Sequence, residues 1–289
     1  SILDSEPFDS MPTNLLMENE LMSLPHALKS IHFPIDSQDA ANARKRLAFD
    51  ELLILQLGML TMKNHSREKT AYIMDKNTDM TAFFGSLPFE MTDAQKKSIS
   101  DVINDMSTDS PMNRLLQGDV GSGKTAVAAA ACYFACQNGF QSALMAPTEI
   151  LAVQHYNTLK SFLEPIGVNV VLLTGSMTAK QKRIAKEALK SGEAAVAAGT
   201  HAIIQKDVEF QRLGLVITDE QHRFGVAQRA RLWTKNVQPP HVLVMTATPI
   251  PRTLAMTLYG DLDVSVIDEL PPGRKPIVTI HKYDAHRVS

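Results

Sequence analysis

The sequence predicts an α/β fold in which a mostly parallel β-sheet is covered by helices on both faces. Apolar runs of strand length alternate with helical runs between residues 115 and 267, and this alternation is typical of parallel sheets. A glycine-rich segment, residues 118–125, joins the first apolar run to the first helical run. A long helical segment with an apolar stripe comes before the alternating region. We therefore expect one α/β domain preceded by a helical linker segment.

The composition is that of an ordinary globular protein. The chain has 289 residues, of which 44% are hydrophobic and 21% are charged. Its formal net charge is −2, so contact with nucleic acid would have to come from local basic patches. The two cysteines, Cys132 and Cys136, lie in one helical run, which favours buried core residues in a reducing, cytoplasmic compartment over a zinc site or a disulfide. The longest apolar run, residues 126–136, is too short for a bilayer, so we expect no membrane partner.

Residues 1–64 are predicted to be an N-terminal extension with an interdomain helix. We expect a short helix around residues 14–22 and a long one over residues 41–63. The basic start of the long helix, residues 44–46, is more typical of a solvated helix end than of a phosphate contact. An apolar stripe on this helix predicts burial against a neighbouring domain. The stripe consists of Ala48, Leu52, Leu55 and Met59, widened by Phe49, Leu53 and Leu60.

Residues 65–270 are predicted to form the main domain, and residues 271–289 a linker that follows it. Residues 64–86 are polar and are interpreted as a connector. Thr92 and Gln95 then have the spacing of a capping box, in which Gln95 reaches back to the Thr92 backbone. Because an amide donates and accepts hydrogen bonds, Gln95 also suits the edge of an adenine ring. Both interpretations stay open at this point.

The glycine-rich segment has the pattern of a phosphate-binding loop. Gly118, Gly123, Lys124 and Thr125 occupy the fixed positions of G-x-x-x-x-G-K-T, between a strand-like run and a helical run. Such a loop turns backbone N–H groups toward phosphate oxygens, and the helix adds the positive end of its dipole. Lys124 is expected to reach the β- and γ-phosphates, and the Thr125 hydroxyl to ligate Mg²⁺. The cofactor-binding segment also includes Gly121 and Ser122.

Further strands and helices are predicted to alternate after this loop. The strands fall at residues 142–146, 169–173, 194–198, 213–218, 241–245 and 264–267, and the helices at residues 149–162, 179–189 and 228–235. In sheets of this kind, ligands bind at the carboxyl ends of the strands.

Polar residues follow two of these strands at their carboxyl ends. Asp219 and Glu220 form an acidic pair, in which we expect Asp219 to hold Mg²⁺ and Glu220 to orient an attacking water. His222 comes shortly after and either senses the γ-phosphate or caps the next helix. Thr246 and Thr248 follow the strand at residues 241–245. They either bond to the acidic pair and couple hydrolysis to movement, or form a simple proline-containing turn.

Three strand-to-helix turns carry small hydroxyl residues, at residues 147–149, 174–176 and 199–201. Backbone N–H groups and helix dipoles favour phosphate at such turns, and they contact a nucleic-acid backbone without reading its sequence. Each turn by itself would be only a helix cap, and the basic helices beside them fit solvated faces equally well. A groove for nucleic acid and a set of ordinary caps therefore remain alternatives. The candidate DNA-binding residues are Thr148, Thr174, Gly175, Thr200 and His201.

Taken together, these motifs resemble those of superfamily 2 helicases. The resemblance is carried by residues 118–125, 146–152, 219–226 and 245–255. The run Asp-Glu-Gln-His-Arg-Phe-Gly-Val from Asp219, with residues 259–263 and 269–274, is more narrowly similar to the RecG family of ATP-dependent DNA helicases. This narrower resemblance spans about residues 20–280.

The resemblance implies a RecA-like first motor domain that uses ATP and Mg²⁺ to move a monomeric enzyme on branched or duplex DNA, at stalled replication forks and Holliday junctions. It implies catalytic roles for Lys124, Asp219 and Glu220, a place near adenine for Gln95, and coupling by Thr246 and Thr248. The family also has a wedge domain and a second motor domain, whose Gln-x-x-Gly-Arg-x-Gly-Arg segment is not found in this sequence. We therefore expect a fragment that hydrolyses ATP poorly by itself.

Other functions fit parts of the same sequence. A transcription-repair coupling translocase shares most of these motifs but usually has Glu at the position of Gln221. A nucleotide-gated interaction module would bind ATP without turning it over. A nucleotide kinase would share the phosphate-binding loop but would leave the threonine-rich turn unexplained. ATPase rates with and without branched DNA separate these possibilities.

Overall fold

The computed structural model describes residues 8–67, 71–205, 207–219, 238–247 and 262–269. These described residues divide into two compact units, an N-terminal one that ends at residue 65 and a second one that begins at residue 66. In the described ranges, no helix combines the length and the apolar character needed to cross a membrane.

The N-terminal unit contains three helices, α1 (Thr13–Glu18), α2 (Leu24–His32) and α3 (Ser37–Arg67). The first and third were predicted from the sequence, although α3 extends beyond both predicted ends. Helix α2 was not among the helices predicted from the sequence. The structure places Pro25 in the first turn of α2, where a proline is tolerated since that N–H has no partner inside the helix.

The face of α3 that packs in this unit differs from the predicted apolar stripe. Ala43 and Arg46 are buried, whereas Leu52 and Leu55 are 55% and 47% exposed. The predicted burial of the stripe against a neighbouring domain stays a prediction. The interpretation of residues 44–46 as a solvated helix end is wrong for Arg46, whose exposed fraction is 1%.

Arg46 is held by an ion-pair network. Its guanidinium donates to both carboxylate oxygens of Asp9 at 2.9 Å, to Asp50 at 3.1 Å and to the Met22 carbonyl at 3.0 Å. Asp9 also accepts from the Leu24 N–H at 2.7 Å. The hydrogen bonds from Arg46 hold the pKa of Asp9 well below its usual range. This network ties the segment before α1 and the start of α2 to α3.

We expect Arg46→Met to destabilise the N-terminal unit by about 2–3 kcal/mol, less than is typical for a fully buried pair because Asp9 remains partly exposed. Since the pKa of Asp9 is lowered on folding, its contribution is complete above about pH 4 and is lost as pH falls further. Denaturant unfolding and amide exchange of α1–α3 between pH 7 and pH 3 measure both effects. The exposed neighbour Arg44 provides the control: an equal loss of stability in Arg44→Met would contradict this role for Arg46.

The second unit is built around a seven-stranded sheet. Its strands lie in the order β3-β4-β2-β5-β6-β1-β7, and every pairing is parallel. The strands are β1 (Asn113–Gly118), β2 (Gln141–Met145), β3 (Val170–Leu173), β4 (Val196–Gly199), β5 (Leu213–Asp219), β6 (His241–Thr246) and β7 (Asp263–Ile267). The predicted fold class is thereby confirmed, and the strand limits agree within about two residues.

Helices cover both faces of this sheet. They are α4 (Thr81–Ser86), α5 (Asp93–Met106), α6 (Lys124–Gln137), α7 (Glu149–Leu163) and α8 (Ala179–Ser191). One apolar core, which includes Phe134 of α6 and Leu159 of α7, fills one face, and a second core around Leu189 of α8 fills the other. The predicted helix over residues 228–235 and the predicted linker over residues 271–289 lie outside the described residues.

The interpretation of residues 64–86 as a polar connector is wrong for part of that segment. Met74 and Phe83 are fully buried in the first core, and residues 81–86 form α4. The polar neighbours of these side chains concealed them, because isolated apolar residues create no periodicity over so short a segment. The prediction for the cysteines holds for Cys132, which is buried, and burial raises the pKa of its thiol to about 12. Cys136 is only partly buried.

Candidate functional site

The carboxyl ends of the strands meet along one edge of the sheet. The strand register pairs Leu173 with Gly199, Gly199 with Met145, and Met145 with Thr218. It further pairs Asp219 with Met245, and Gln117 with Thr246. The three hydroxyl-bearing turns after β2, β3 and β4 therefore lie on one half of the edge. The phosphate-binding loop, Asp219 and Thr246 lie on the other half.

The phosphate-binding loop has a backbone that requires glycine at particular positions. Gly121 and Gly123 have φ values of 77° and 89°, in the left-handed region that side chains disfavour. A Cβ at Gly123 would also clash with the Gln95 amide nitrogen. Helix α6 begins directly after Gly123 with Lys124. The loop thus presents a helix N-terminus at the edge of the sheet, an arrangement that favours phosphate.

Gln95 joins the start of α5 to this loop. The capping box predicted from the sequence is present, with the Thr92 N–H donating to Gln95 Oε1 at 2.9 Å and the Gln95 N–H donating to Thr92 Oγ1 at 3.3 Å. Gln95 Nε2 donates to the Ser122 carbonyl at 2.8 Å, and the residue is 1% exposed. In this structure both ends of the amide are therefore bonded within the protein. The role of Gln95 at adenine stays a prediction.

The phosphate-binding loop borders a small cavity. Lys124 Nζ donates to the Gly118 carbonyl at 2.7 Å and to the Asp119 carbonyl at 2.9 Å, at the base of the loop. The Ser122 hydroxyl is buried without a hydrogen-bond partner among the described residues. The cavity has a volume of about 220 Å³. It is lined by Val120, Gly121, Lys124, Thr125, Leu151, Gln154, His155, Asp219, Met245 and Ala247.

Asp219 enters this cavity from the end of β5 and meets a residue that sequence reasoning missed. Its Oδ2 lies 2.7 Å from His155 Nε2 of α7, and both residues are 8% exposed. His155 falls on the buried face of α7 with Ala152 and Leu159. A polar ring on such a face needs a hydrogen-bond partner. That position on the apolar stripe is the sequence signal that could have identified His155.

Thr246, at the end of β6, is 2% exposed and pairs with Gln117 across the sheet. Its predicted coupling role is compatible with this place beside the phosphate-binding loop but stays a prediction. Glu220, His222 and Thr248 lie outside the described residues, and their predicted roles stay predictions as well.

The candidate DNA-binding residues divide into accessible and buried members. Thr148, Gly175 and His201 are exposed, whereas Thr174 and Thr200 are 2% and 3% exposed. The Thr148 hydroxyl accepts from the Leu151 N–H at 3.3 Å and caps α7. Buried threonine side chains can support these turns but cannot present their hydroxyls to a ligand without a change in conformation.

Glu149 links two of the three turns. Its Oε1 accepts from the Ser176 N–H at 2.9 Å, and hydrogen bonds from Ser176 lower the pKa of this carboxyl. A Cβ at Gly175 would lie 3.0 Å from the same oxygen, so glycine permits this close approach. The carboxylate therefore holds the turn after β3 against the start of α7.

The residues of the loop and of β5 suit a nucleotide and a hard cation. The left-handed glycines and the helix N-terminus fit a phosphate group. Thr125 and Asp219 line one cavity and offer the oxygen ligands that Mg²⁺ prefers. No group of three or more His, Cys, Asp or Glu suited to a metal occurs in the described ranges. Mg²⁺ at this site would complete its shell with phosphate oxygens and water.

Comparison with known proteins gives a consistent result. The DEAD/DEAH box helicase family matches residues 92–257. The chain is 50% identical over 273 residues to the ATP-dependent DNA helicase RecG of Synechocystis sp., covering 94% of this chain and 33% of that protein. It is 50% identical over 278 residues to RecG of Bacillus subtilis, covering 96% of this chain and 40% of that protein.

A solved structure of RecG bound to a three-way DNA junction is similar as well. Its TM-score is 0.81 at 41% sequence identity, over 94% of this chain and 36% of that one. The chain thus spans between a third and two fifths of the length of these relatives. The matching sequence and the parallel sheet with a phosphate-binding loop show that the chain belongs to the DEAD/DEAH box helicase family, and it is similar to RecG helicases over nearly its whole length.

Proposed function

We propose that this chain is the ATP-binding first motor domain, with its preceding helical segment, of an ATP-dependent DNA helicase that remodels branched DNA. The observation that carries the proposal is the cavity that joins Lys124 and Thr125 of the phosphate-binding loop to Asp219. The RecG relatives and the RecG structure with a three-way DNA junction support the choice of branched DNA. The bacterial relatives support action in the cytoplasm.

ATP and Mg²⁺ are the proposed cofactors. The loop amides and Lys124 would bind the β- and γ-phosphates, and Thr125 and Asp219 would hold Mg²⁺, which neutralises phosphate charge when bound. Glu220 would orient the attacking water, and His222 would lie near the γ-phosphate. Gln95 would lie near the adenine, and its hydrogen bond to the Ser122 carbonyl would link the adenine site to the phosphate-binding loop. Thr246 and Thr248 would connect this site to movement on DNA.

The other half of the sheet edge is the proposed DNA-backbone contact. Thr148, Gly175 and His201 supply its accessible surface, while Thr174 and Thr200 are buried within the turns. A second motor domain and a wedge domain would complete the enzyme. The length of the relatives supports this part of the proposal, since the matched region accounts for only 33–40% of them. We expect the assembled protein to work as a monomer.

The test is steady-state ATP hydrolysis and DNA binding with a forked duplex, an unbranched duplex and no DNA. The proposal expects binding of ATP and of the fork by the 289-residue chain, with slow hydrolysis. It expects hydrolysis stimulated by the fork once the second motor domain is present. A chain that binds ATP while the complete protein hydrolyses none, with or without DNA, would instead be a nucleotide-gated interaction module.

His201→Glu places a negative charge on the proposed DNA edge. We expect weaker binding to forked and unbranched duplex alike. The slope of log K against log[salt] should also become shallower, by about one for each phosphate that the variant no longer contacts. Ser161→Glu is the matched control, because Ser161 is exposed near the other end of α7. Fluorescence anisotropy at several salt concentrations measures both. If the two variants bind equally, the three turns are helix caps and not a DNA surface.

A further inference from the structure

We propose that His155 is a positioning residue that fixes the Asp219 carboxylate in the orientation needed to hold nucleotide-bound Mg²⁺. This inference rests on the proposed function, because it assigns a partner to the carboxylate placed at the metal. His155 lies on α7, sixty-four residues before Asp219 in the sequence. None of the motifs found in the sequence contains it.

The chemistry of the two side chains determines which of them donates the hydrogen bond. A carboxylate only accepts hydrogen bonds, so Nε2 of His155 carries the hydrogen and donates it to Oδ2 of Asp219. Among the described residues, His155 is the hydrogen-bond partner of the Asp219 carboxylate. It engages one carboxylate oxygen and leaves the other for the metal or for a water of its shell. Partners of this kind orient metal ligands in many proteins.

Helix α7 holds His155 in place from both sides. Ala152, Leu159 and Leu163 are fully buried on the same face. At the start of the helix, Thr148 caps the first turn and Glu149 bonds to the Ser176 N–H. The imidazole is therefore positioned before any ligand arrives, and its low exposure shields the hydrogen bond from water.

A purely structural pair would behave differently from a positioning pair. If His155 only stabilised the fold, its loss would lower the free energy of unfolding and leave the Mg²⁺ requirement of the folded protein unchanged. If it orients Asp219, its loss would weaken Mg²⁺-dependent nucleotide binding while binding without Mg²⁺ stays the same. The two effects can be measured separately.

The experiment uses the 289-residue chain and N-methylanthraniloyl-labelled AMP-PNP, an ATP analogue that is not hydrolysed. Binding is followed by fluorescence in EDTA and across a Mg²⁺ titration. For His155→Leu we expect the Mg²⁺ concentration at half-saturation to rise about 10–100-fold, the range typical for removal of such partners, with affinity in EDTA unchanged. His155→Gln restores an N–H donor at similar reach, and we expect it to recover most of the Mg²⁺ affinity.

His241→Leu is the matched control. His241 is also fully buried in this unit, with hydrogen bonds to the Met112 N–H and the Tyr72 carbonyl, but it lies at the start of β6, at the opposite end of the strands. We expect it to lower stability without moving the Mg²⁺ half-saturation. If His155→Leu does not fold, His155→Asn replaces it in the Mg²⁺ titration. The asparagine amide is polar but too short to reach Asp219, so it also removes the hydrogen bond.

The outcomes separate the inference from the function on which it rests. If Mg²⁺ does not strengthen analogue binding by the unmodified chain, the proposed nucleotide site fails. If it does, and His155→Leu or His155→Asn shows the same Mg²⁺ half-saturation as the unmodified chain, the positioning role alone is overturned. Equal shifts in His155→Gln and His155→Leu would also overturn it, since the donor would then be irrelevant.

Discussion

Glu220→Gln is expected to slow hydrolysis of bound ATP by about 10²–10³-fold while leaving ATP affinity nearly unchanged. Glu220 follows directly after Asp219, the last residue of β5, whose side chain lines the cavity beside the phosphate-binding loop. A carboxylate there can orient the attacking water, whereas the amide of nearly identical shape cannot accept its proton. Binding and chemistry are therefore expected to separate in this variant. Single-turnover hydrolysis in the complete enzyme proposed above measures the chemical step.

Glu164→Gln is the matched control for this substitution. Glu164 lies just after α7 and pairs with the exposed Lys160, so the same exchange there is expected to change neither quantity. If Glu220→Gln weakened ATP binding but hydrolysed the remaining bound ATP at the normal rate, Glu220 would be a structural residue of the site.

Lys124→Ala is expected to weaken ATP binding by about 10–150-fold. Hydrogen bonds to a charged group contribute about 1.5–3 kcal/mol, and the loss of the ammonium removes such bonds to the phosphates. In this structure Lys124 Nζ bonds to the carbonyls of Gly118 and Asp119, so the ammonium already lies at the base of the loop. Equilibrium binding of a fluorescent ATP analogue in Mg²⁺ measures the affinity.

Lys160→Ala serves as the comparison, because Lys160 is an exposed lysine on α7 that does not line the cavity beside the phosphate-binding loop. The unfolding free energies of both variants identify any decrease in affinity that comes from impaired folding. Unchanged ATP affinity in a folded Lys124→Ala protein would contradict the proposal that this loop binds the phosphates of ATP.

Several features could be predicted because they depend on residues close together in the sequence. The strands were recognisable as short apolar runs, and the Thr92–Gln95 capping box and the Thr148 cap follow from spacing within one helical turn. The phosphate-binding loop is a local motif as well, and its glycines have the positive φ values that such a turn requires. Since all strands are parallel, residues placed after them had to meet at one edge.

Errors arose where a side chain's environment is decided by distant residues. Arg46 was interpreted as solvated, but its partner Asp9 lies thirty-seven residues away and buries it. Phe83 was assigned to a polar connector, but the core shared with α6 and α7 covers it. The hydroxyls of Thr174 and Thr200 looked equivalent to that of Thr148, and only the packing of β3 and β4 shows that they are buried.

The sequence by itself determined the strands, the fold class and the glycine positions of the phosphate-binding loop, because each is encoded in periodicity or in a fixed local spacing. The tertiary structure decided which helix face meets which strand end. It brought His155 to Asp219 across sixty-four residues and Gln95 to the Ser122 carbonyl across twenty-seven. The physical reason is that sheet order fixes these contacts. Strand β5 lies beside β2, the strand that precedes α7, and no local pattern encodes that neighbour.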